Sequence, residues 1–249
     1  MKKFAPILFL LLFLLFGAVA WSQECSQYLF LQQGKTIEVT IYNKKGEPIG
    51  RQVYTVSNVA NTGGVTTGTL NTQAFDKKER PTTTSTSTIK CTGGTLQVDM
   101  KLMLPDGPPG RFSNAQVSGN GGILEYPSGM KTGDSLKSAN MVLNTNNSNG
   151  GPGGPPGAPP GPPPPPNPFG GNSTLTMWVY DRKVLGQESV TTNAGTWNCV
   201  KISYKSKVSF KTGPFPTNLN IEGTEWYAPG VGIIKTQTDH GSTAVTSIK

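Results

Sequence analysis

Acidic residues in strand-like segments are the first candidates for chemistry in this chain. They are Asp99, Asp181, Glu188, Glu222 and Glu225. Two suitably placed carboxylates can hydrolyse a glycosidic bond. We interpret all five as surface charges paired with lysine or arginine, and therefore predict no catalytic residue and a protein that is not an enzyme. A carboxylate-dependent hydrolase that uses residues such as Glu188 or Glu225 is kept as an alternative.

The three cysteines and the single histidine offer little further chemistry. A metal site needs clustered ligands, and Cys25, Cys91, Cys199 and His240 are far apart in sequence, so we predict no metal and no cofactor. Three single disulfides are conceivable. If the first four strands form a meander, Cys25 and Cys91 lie at the same end of it, which favours this pairing. Cys199 lies within a strand pattern, where a buried thiol is the ordinary role.

Aromatic residues concentrate in the C-terminal half of the chain. On adjacent strands they could line a concave face that holds a lipid chain or a sugar ring, and the candidate ligand face comprises Trp178, Tyr180, Trp226 and Tyr227. The competing interpretation is that they fill the core of a curved sheet, where aromatic side chains pack well.

The N-terminus has the features of an export signal. Lys2 and Lys3 precede an apolar run over residues 7–16, and small residues follow up to Ala20. We therefore predict a signal peptide over residues 1–20, with a retained anchor as the alternative. The expected location is the periplasm or cell envelope, or the outside of the cell, and no transmembrane segment is expected after cleavage. Losing both lysines lowers the formal charge from +8 to +6 (8 − 2), and the scattered basic residues predict no nucleic-acid partner.

Strand patterns dominate the rest of the chain. Thr, Val and Ile alternate in short runs that end at Gly, Asn or Pro, which is typical of all-β proteins. Strands are predicted over residues 36–42, 51–59, 65–75, 82–91, 95–104, 115–126, 134–144, 173–180, 184–191, 195–210, 221–227, 232–238 and 242–248. We predict one domain over residues 21–249; the pattern alone does not choose between a sandwich, a barrel and a half-barrel.

One segment interrupts this domain. Residues 146–171 are rich in Asn, Gly and Pro and include consecutive prolines at 162–166. Because the segment has almost no apolar side chain to bury, we predict a disordered loop with an extended proline run. Its alternative role is a docking strip for an aromatic groove on a partner.

Several sequence blocks resemble the TapB-like family of exported bacterial proteins of unknown function. They are CSQYLFLQQGKTIEVTIYNKKGEPIG, IKCTGGTLQVDM, EYPSGMKTGDSL, DRKVLGQESVTTNAGTWNCVKISYK and EWYAPGVGIIKTQT, in this order along the chain. Arg182, Tyr126 and Trp226 fall within these blocks. The resemblance implies an antiparallel, strongly curved sheet, half-open or sandwich-like, such as those of periplasmic lipoprotein carriers. It implies no activity, cofactor or catalytic residue.

The function expected from these features is that of an exported, non-enzymatic envelope protein. Its partner would be a lipid, a glycan or an envelope protein, bound on the concave side of the sheet. The main alternative is a structural or assembly factor that acts through exposed strand edges and the proline-rich loop.

Overall fold

A computed structural model describes residues 25–103, 116–118, 122–145, 173–212 and 215–249. The predicted signal peptide over residues 1–20 and the whole Gly/Pro-rich segment over residues 146–171 lie outside these ranges. In the described part of the chain, no helix is long and apolar enough to cross a membrane.

The described residues form an almost purely β structure. The strands are β1 (Thr36–Asn43), β2 (Pro48–Thr62), β3 (Val65–Asp76), β4 (Pro81–Thr92), β5 (Thr95–Asp99), β6 (Gln116–Ser118), β7 (Ile123–Tyr126), β8 (Ser135–Leu136), β9 (Ala139–Thr145), β10 (Ser173–Thr192), β11 (Gly195–Thr212), β12 (Phe215–Ala228), β13 (Gly232–Thr238) and β14 (Gly241–Ile248). Short 3-10 turns occupy Cys25–Gln27, Leu29–Leu31 and Met100–Met103.

All fourteen strands belong to one antiparallel sheet. Its order is β6-β9-β10-β11-β12-β13-β14-β1-β2-β3-β4-β5-β7, and β8 pairs with β10. The sheet curls until its two ends meet, where the amide of Gly122 donates to the carbonyl of Asn140 over 3.0 Å. The result is a nearly closed barrel with one unsealed seam between β7 and β9. This confirms the predicted all-β, strongly curved antiparallel sheet.

Several predicted strand limits are wrong. Residues 173–180 and 184–191 form one continuous strand of 20 residues, β10, rather than two. The break in the pattern is a bulge, where the register shifts between Tyr180 and Lys183 and Asp181 has a φ of 49°. The strand predicted at 95–104 ends at Asp99, the one predicted at 115–126 is divided between β6 and β7, and β12 begins at Phe215 rather than at 221.

The interior of the barrel is a single hydrophobic core. Strand residues alternate between the inside and the outside, and the inner positions of β3 to β5 include Leu70, Ile89 and Leu96, all almost fully buried. Residues 25–31 add Tyr28, Phe30 and Leu31 to this core from one side.

Two glycines make room for the N-terminal segment. A Cβ on Gly68 would lie 3.1 Å from the Leu31 side chain, and a Cβ on Gly232, whose φ is +128°, would lie 2.8 Å from the Phe30 ring. Residues 25–31 therefore lie against β3 and β13 at positions where any larger residue would crowd them.

Candidate functional site

Arg182 is the most unusual residue of the interior because it carries a charge into the core. Leu175, Met177 and Val179 precede it as buried residues at every second position of β10. The extra residue at the bulge of Asp181 shifts this alternation by one, so that Arg182 and then Val184 point inward. The Arg182 side chain is 0 % exposed.

The Arg182 guanidinium connects strands that are distant along the chain. Its Nη2 lies 3.1 Å from Oε1 of Glu225 on β12. Its Nη1 donates to the carbonyl oxygens of Glu125 at 3.1 Å and Lys137 at 3.3 Å. Glu125 belongs to β7 and Lys137 to the segment before β9, so one side chain joins both sides of the unsealed seam.

Tyrosines extend this network across the interior. Tyr126 donates to Oε2 of Glu225 at 2.9 Å, and its ring lies under the Arg182 guanidinium at 4.7 Å. The Tyr126 ring also stacks on that of Tyr227 at 4.8 Å between centroids. Tyr227 in turn donates to the hydroxyl of Tyr28 at 2.7 Å, and Tyr28 donates to the carbonyl of Gly94 at 3.3 Å.

Burial governs the protonation of this network. Loss of hydration is the main cause that raises the pKa of Tyr28, Tyr126 and Tyr227 above that of a free tyrosine. The negative charge of Glu225 raises the pKa of Tyr126 further. These phenols are therefore neutral hydrogen-bond donors near pH 7, and the only full charges of the network are those of Arg182 and Glu225.

One of the candidate carboxylates, Glu225, does not occupy the position expected from the sequence. Glu225 is 1 % exposed, so its interpretation as a surface charge is wrong; the closed barrel places it opposite Arg182. Glu188 lies on the outer face, where it accepts from Nε1 of Trp226 and lies 3.4 Å from Nζ of Lys201. The hydrogen bond from Trp226 is the main cause that lowers the pKa of Glu188.

Asp181 is a surface charge, as predicted. It lies 3.4 Å from Nζ of Lys205 on the neighbouring strand. The two acids singled out for the hydrolase alternative, Glu188 and Glu225, project from opposite faces of the sheet and do not form a pair.

The four aromatic residues of the candidate ligand face do not form one surface. Tyr227 is buried inside the barrel, whereas Trp178 and Tyr180 stack on each other on the outside at 4.4 Å between centroids. Trp226 also faces outward, but Nζ of Lys201 and Nζ of Lys235 lie 5.4 and 4.9 Å from its ring centroid. The prediction of a single concave face is therefore wrong, because neighbouring residues of a strand point to opposite sides of the sheet.

Two of the three cysteines form a structural link, and the third is buried. Cys25 and Cys91, the pairing favoured by the sequence analysis, form a disulfide with a Cα–Cα distance of 5.5 Å. It attaches residues 25–31 to the end of β4. Cys199 is a buried free thiol whose pKa is raised to about 11, chiefly by loss of hydration.

Metal-binding groups are not clustered in the part of the chain that the structure describes. No three His, Cys, Asp or Glu side chains there are placed so that they could share an ion. His240 lies beside Asp239 at the turn between β13 and β14, with its Nε2 3.4 Å from Oδ1.

The fold and its interior define a class of protein: a nearly closed antiparallel β-barrel whose core is bridged by a buried ionic network. The chain belongs to the DUF3108-like family, whose model matches residues 32–151 and 170–248. The name TapB-like, used for the sequence resemblance, is not the name of the matching family. No curated protein matches the chain.

Two solved structures share the fold. A candidate exported protein with a YmcC-like fold from Bacteroides fragilis superposes with a TM-score of 0.66 at 19 % identity, covering 88 % of this chain and 96 % of that one. A candidate lipoprotein from Parabacteroides distasonis gives a TM-score of 0.66 at 18 % identity, covering 89 % and 99 %. At these identities the similarity establishes the architecture.

Proposed function

We propose that this chain is an exported, non-enzymatic envelope protein that binds a polymeric ligand or a protein partner on the outer face of its sheet. The observation that carries the proposal is the occupied interior. The chain from Tyr28 through Tyr227 and Tyr126 to Arg182 and Glu225 crosses the space that a carrier of the half-barrel type would offer to a ligand. The outer face, in contrast, presents an exposed aromatic stack.

Export is supported by independent features. The disulfide between Cys25 and Cys91 is of the kind that forms and persists in oxidising compartments. The first 20 residues have the composition of a secretory signal. The two proteins of the same fold are described as exported and as a lipoprotein. Together these features favour the periplasm or cell envelope.

The engagement of the candidate catalytic groups supports a non-enzymatic role. Both oxygens of Glu225 hold partners, Arg182 and Tyr126, and both oxygens of Glu188 hold partners, Trp226 and Lys201. A general acid or base must come within hydrogen-bond reach of the proton that it transfers, and these partners compete with a substrate for both oxygens. The raised pKa of Cys199 keeps it in the thiol form, which is a poor nucleophile.

Native mass spectrometry of the full chain purified from an envelope fraction tests this proposal. We expect a mature mass with the disulfide intact in that fraction, and a partner of glycan or protein mass that co-purifies and is lost in high salt or detergent. Recovery from the cytoplasm, or turnover of a glycosidic or ester substrate that disappears in a Glu188→Gln or Glu225→Gln variant, would overturn it.

A structural or assembly factor is the second candidate, and the unsealed seam is the observation that favours it. Strand edges recruit other strands only where their backbone groups are free. Deletion of residues 146–171 tests the contribution of the loop, and a cysteine pair that closes the seam would test the edge. If neither change alters the proteins captured from an envelope extract, this candidate is excluded.

A further inference from the structure

The outward face of β11 has an unusual composition. Because side chains alternate between faces, the outward positions from 201 to 211 are Lys201, Ser203, Lys205, Lys207, Ser209 and Lys211. The inward positions between them include the buried Ile202, Tyr204 and Ser206. Ten residue steps of strand extend over about 33 Å, so the lysines form a long, narrow stripe rather than a compact patch.

An exposed aromatic stack adjoins this stripe. Trp178 pairs with Lys207, and Tyr180 pairs with Lys205, on the neighbouring strand β10. Residues that pair across strands point to the same face, so the two rings stand beside the two lysines. Trp178 is 46 % exposed, although tryptophan side chains are on average highly buried. We name this surface, Trp178 and Tyr180 with the outward residues of β11, the lysine face.

Positive charge is in excess on the lysine face and its surroundings. The outward charged residues of β10 to β13 comprise six lysines, at 183, 201, 205, 207, 211 and 235, and three carboxylates, at 181, 188 and 222. The difference is +3 (6 − 3). Among the described residues no carboxylate lies within ion-pair distance of Lys207 or Lys211, so both retain a charge available to a ligand.

We propose that the lysine face binds a linear acidic glycan, a polymer of sugar rings that carries carboxylate, phosphate or sulfate groups. Spaced lysines attract the anionic groups of the polymer. The exposed stack of Trp178 and Tyr180 accepts the apolar face of a sugar ring against the negative face of the aromatic rings. The elongated shape of the stripe fits several consecutive rings. This inference rests on the proposed function and assigns the ligand class and the site.

Single-stranded nucleic acid is the other polymer that combines negative charge with rings able to stack on aromatic side chains. Two features favour the glycan. The predicted export signal and the disulfide indicate an envelope location, where acidic glycans are abundant and nucleic acid is not a resident polymer. The lysine face also bears one aromatic stack, whereas a nucleic-acid channel usually holds a series of aromatic rings that stack successive bases.

The test is binding of a defined oligogalacturonate to the purified full chain by calorimetry, with its methyl-esterified, uncharged counterpart and an oligothymidylate of equal charge in parallel. We expect saturable binding of the oligogalacturonate that weakens as salt is raised, and weaker binding of both other polymers. Trp178→Ala and Lys207→Gln should each weaken the affinity by about tenfold, which corresponds to ~1.4 kcal/mol. Lys90→Gln is the matched control, since Lys90 is an exposed lysine on β4, away from the lysine face.

Several results would overturn the inference. They are equal affinity for the charged and esterified polymers, tighter binding of the oligothymidylate, and affinity for oligogalacturonate that the Trp178 and Lys207 variants leave unchanged. Both substitutions are on the exposed face, so we expect the variants to fold. Unaltered circular dichroism will show that they do. A partner that co-purifies from the envelope with wild type and with both variants alike would leave the proposed function intact and exclude this site.

Discussion

Nη2 of Arg182 lies 3.1 Å from Oε1 of Glu225 inside the barrel. Nη1 of the same guanidinium donates to the backbone carbonyl of Glu125 on the other side of the seam. A buried ion pair is costly to desolvate, and removing one partner leaves an uncompensated charge. The pair is therefore tied to closure of the barrel: opening the seam would detach Arg182 from Glu125 and expose Glu225 to water.

Replacement of Arg182 by methionine should destabilise the protein strongly. We expect the free energy of unfolding to fall by roughly 3–5 kcal/mol, because Glu225 would remain buried without its counter-charge. Urea unfolding followed by tryptophan fluorescence measures this loss.

The matched control for Arg182 is Lys137→Met at the same seam. Lys137 is 79 % exposed and pairs with Glu125 at 2.9 Å, so its loss should cost only about 0–1 kcal/mol. Equal losses in the two variants would show that the buried pair contributes no more than a surface pair.

The alternation of residues in the strands predicts much of this fold. In β3, for example, Thr66, Leu70 and Ala74 are buried, as residues of one face should be, and the strand has almost the predicted limits. The fold class, the hairpins and the pairing of Cys25 with Cys91 follow from such local patterns. Local patterns do not say how far the sheet curls, since closure depends on contacts between β7 and β9.

The hydrogen-bonded network of the interior is not predicted from the sequence, because it forms only when the sheet closes between β7 and β9. Arg182 and Glu225 are 43 residues apart, and Tyr126 and Glu225 are 99 apart. One signal was present: the spacing from Val179 to Val184 is odd, whereas the inward residues before it recur at every second position. An odd spacing in a continuous strand indicates a bulge, and a bulge at Asp181 turns Arg182 inward.

The same alternation of side chains between the two sides of a strand explains why the predicted ligand face does not form. Trp226 and Tyr227 are neighbours in sequence, so in an extended strand their side chains point to opposite faces. Tyr227 joins Tyr28 in the core, and Trp226 lies outside between Lys201 and Lys235. Counting positions along β12 would have separated them without a structure.

Loss of the disulfide should destabilise the chain and release its N-terminal segment. Cys25 and Cys91 enclose a loop of sequence separation 66, for which chain entropy predicts a contribution of about 4 kcal/mol. A Cys25→Ser, Cys91→Ser double variant should lose stability of this order in guanidinium unfolding. Its stability should not change further in dithiothreitol, because the remaining Cys199 has no disulfide partner. A wild-type protein equally stable in oxidised and reduced form would contradict the expectation.

The buried tyrosines should make the protein sensitive to alkaline pH. Burial raises the pKa of Tyr28, Tyr126, Tyr204 and Tyr227, so the folded state favours the protonated phenol. The stability that these groups confer is full below their unfolded pKa of about 10 and is lost as the pH rises through their folded values. We expect their phenolates to appear together with loss of the near-ultraviolet circular dichroism signal.

Absorbance at 295 nm during an alkaline titration measures this ionisation. The control is the same titration in guanidinium, where all tyrosines should ionise near pH ~10. Complete ionisation near that pH with the circular dichroism signal retained would contradict the burial of the network.

A side chain at Gly223 should destabilise the protein, because the ring of Tyr204 on the neighbouring strand covers this position. A Cβ at Gly223 would lie 2.5 Å from the Tyr204 hydroxyl oxygen and 2.7 Å from Cε1 of the ring. Tyr204 pairs with Gly223 across β11 and β12 and is buried, so its ring has little room to move. We expect Gly223→Ala to lower the free energy of unfolding by about 1–3 kcal/mol through overpacking.

The outward neighbour Thr224 supplies the control, since Thr224→Ala should change stability by less than about 0.5 kcal/mol. If urea midpoints of the two variants coincide, the close approach of the Tyr204 ring to β12 does not constrain this position.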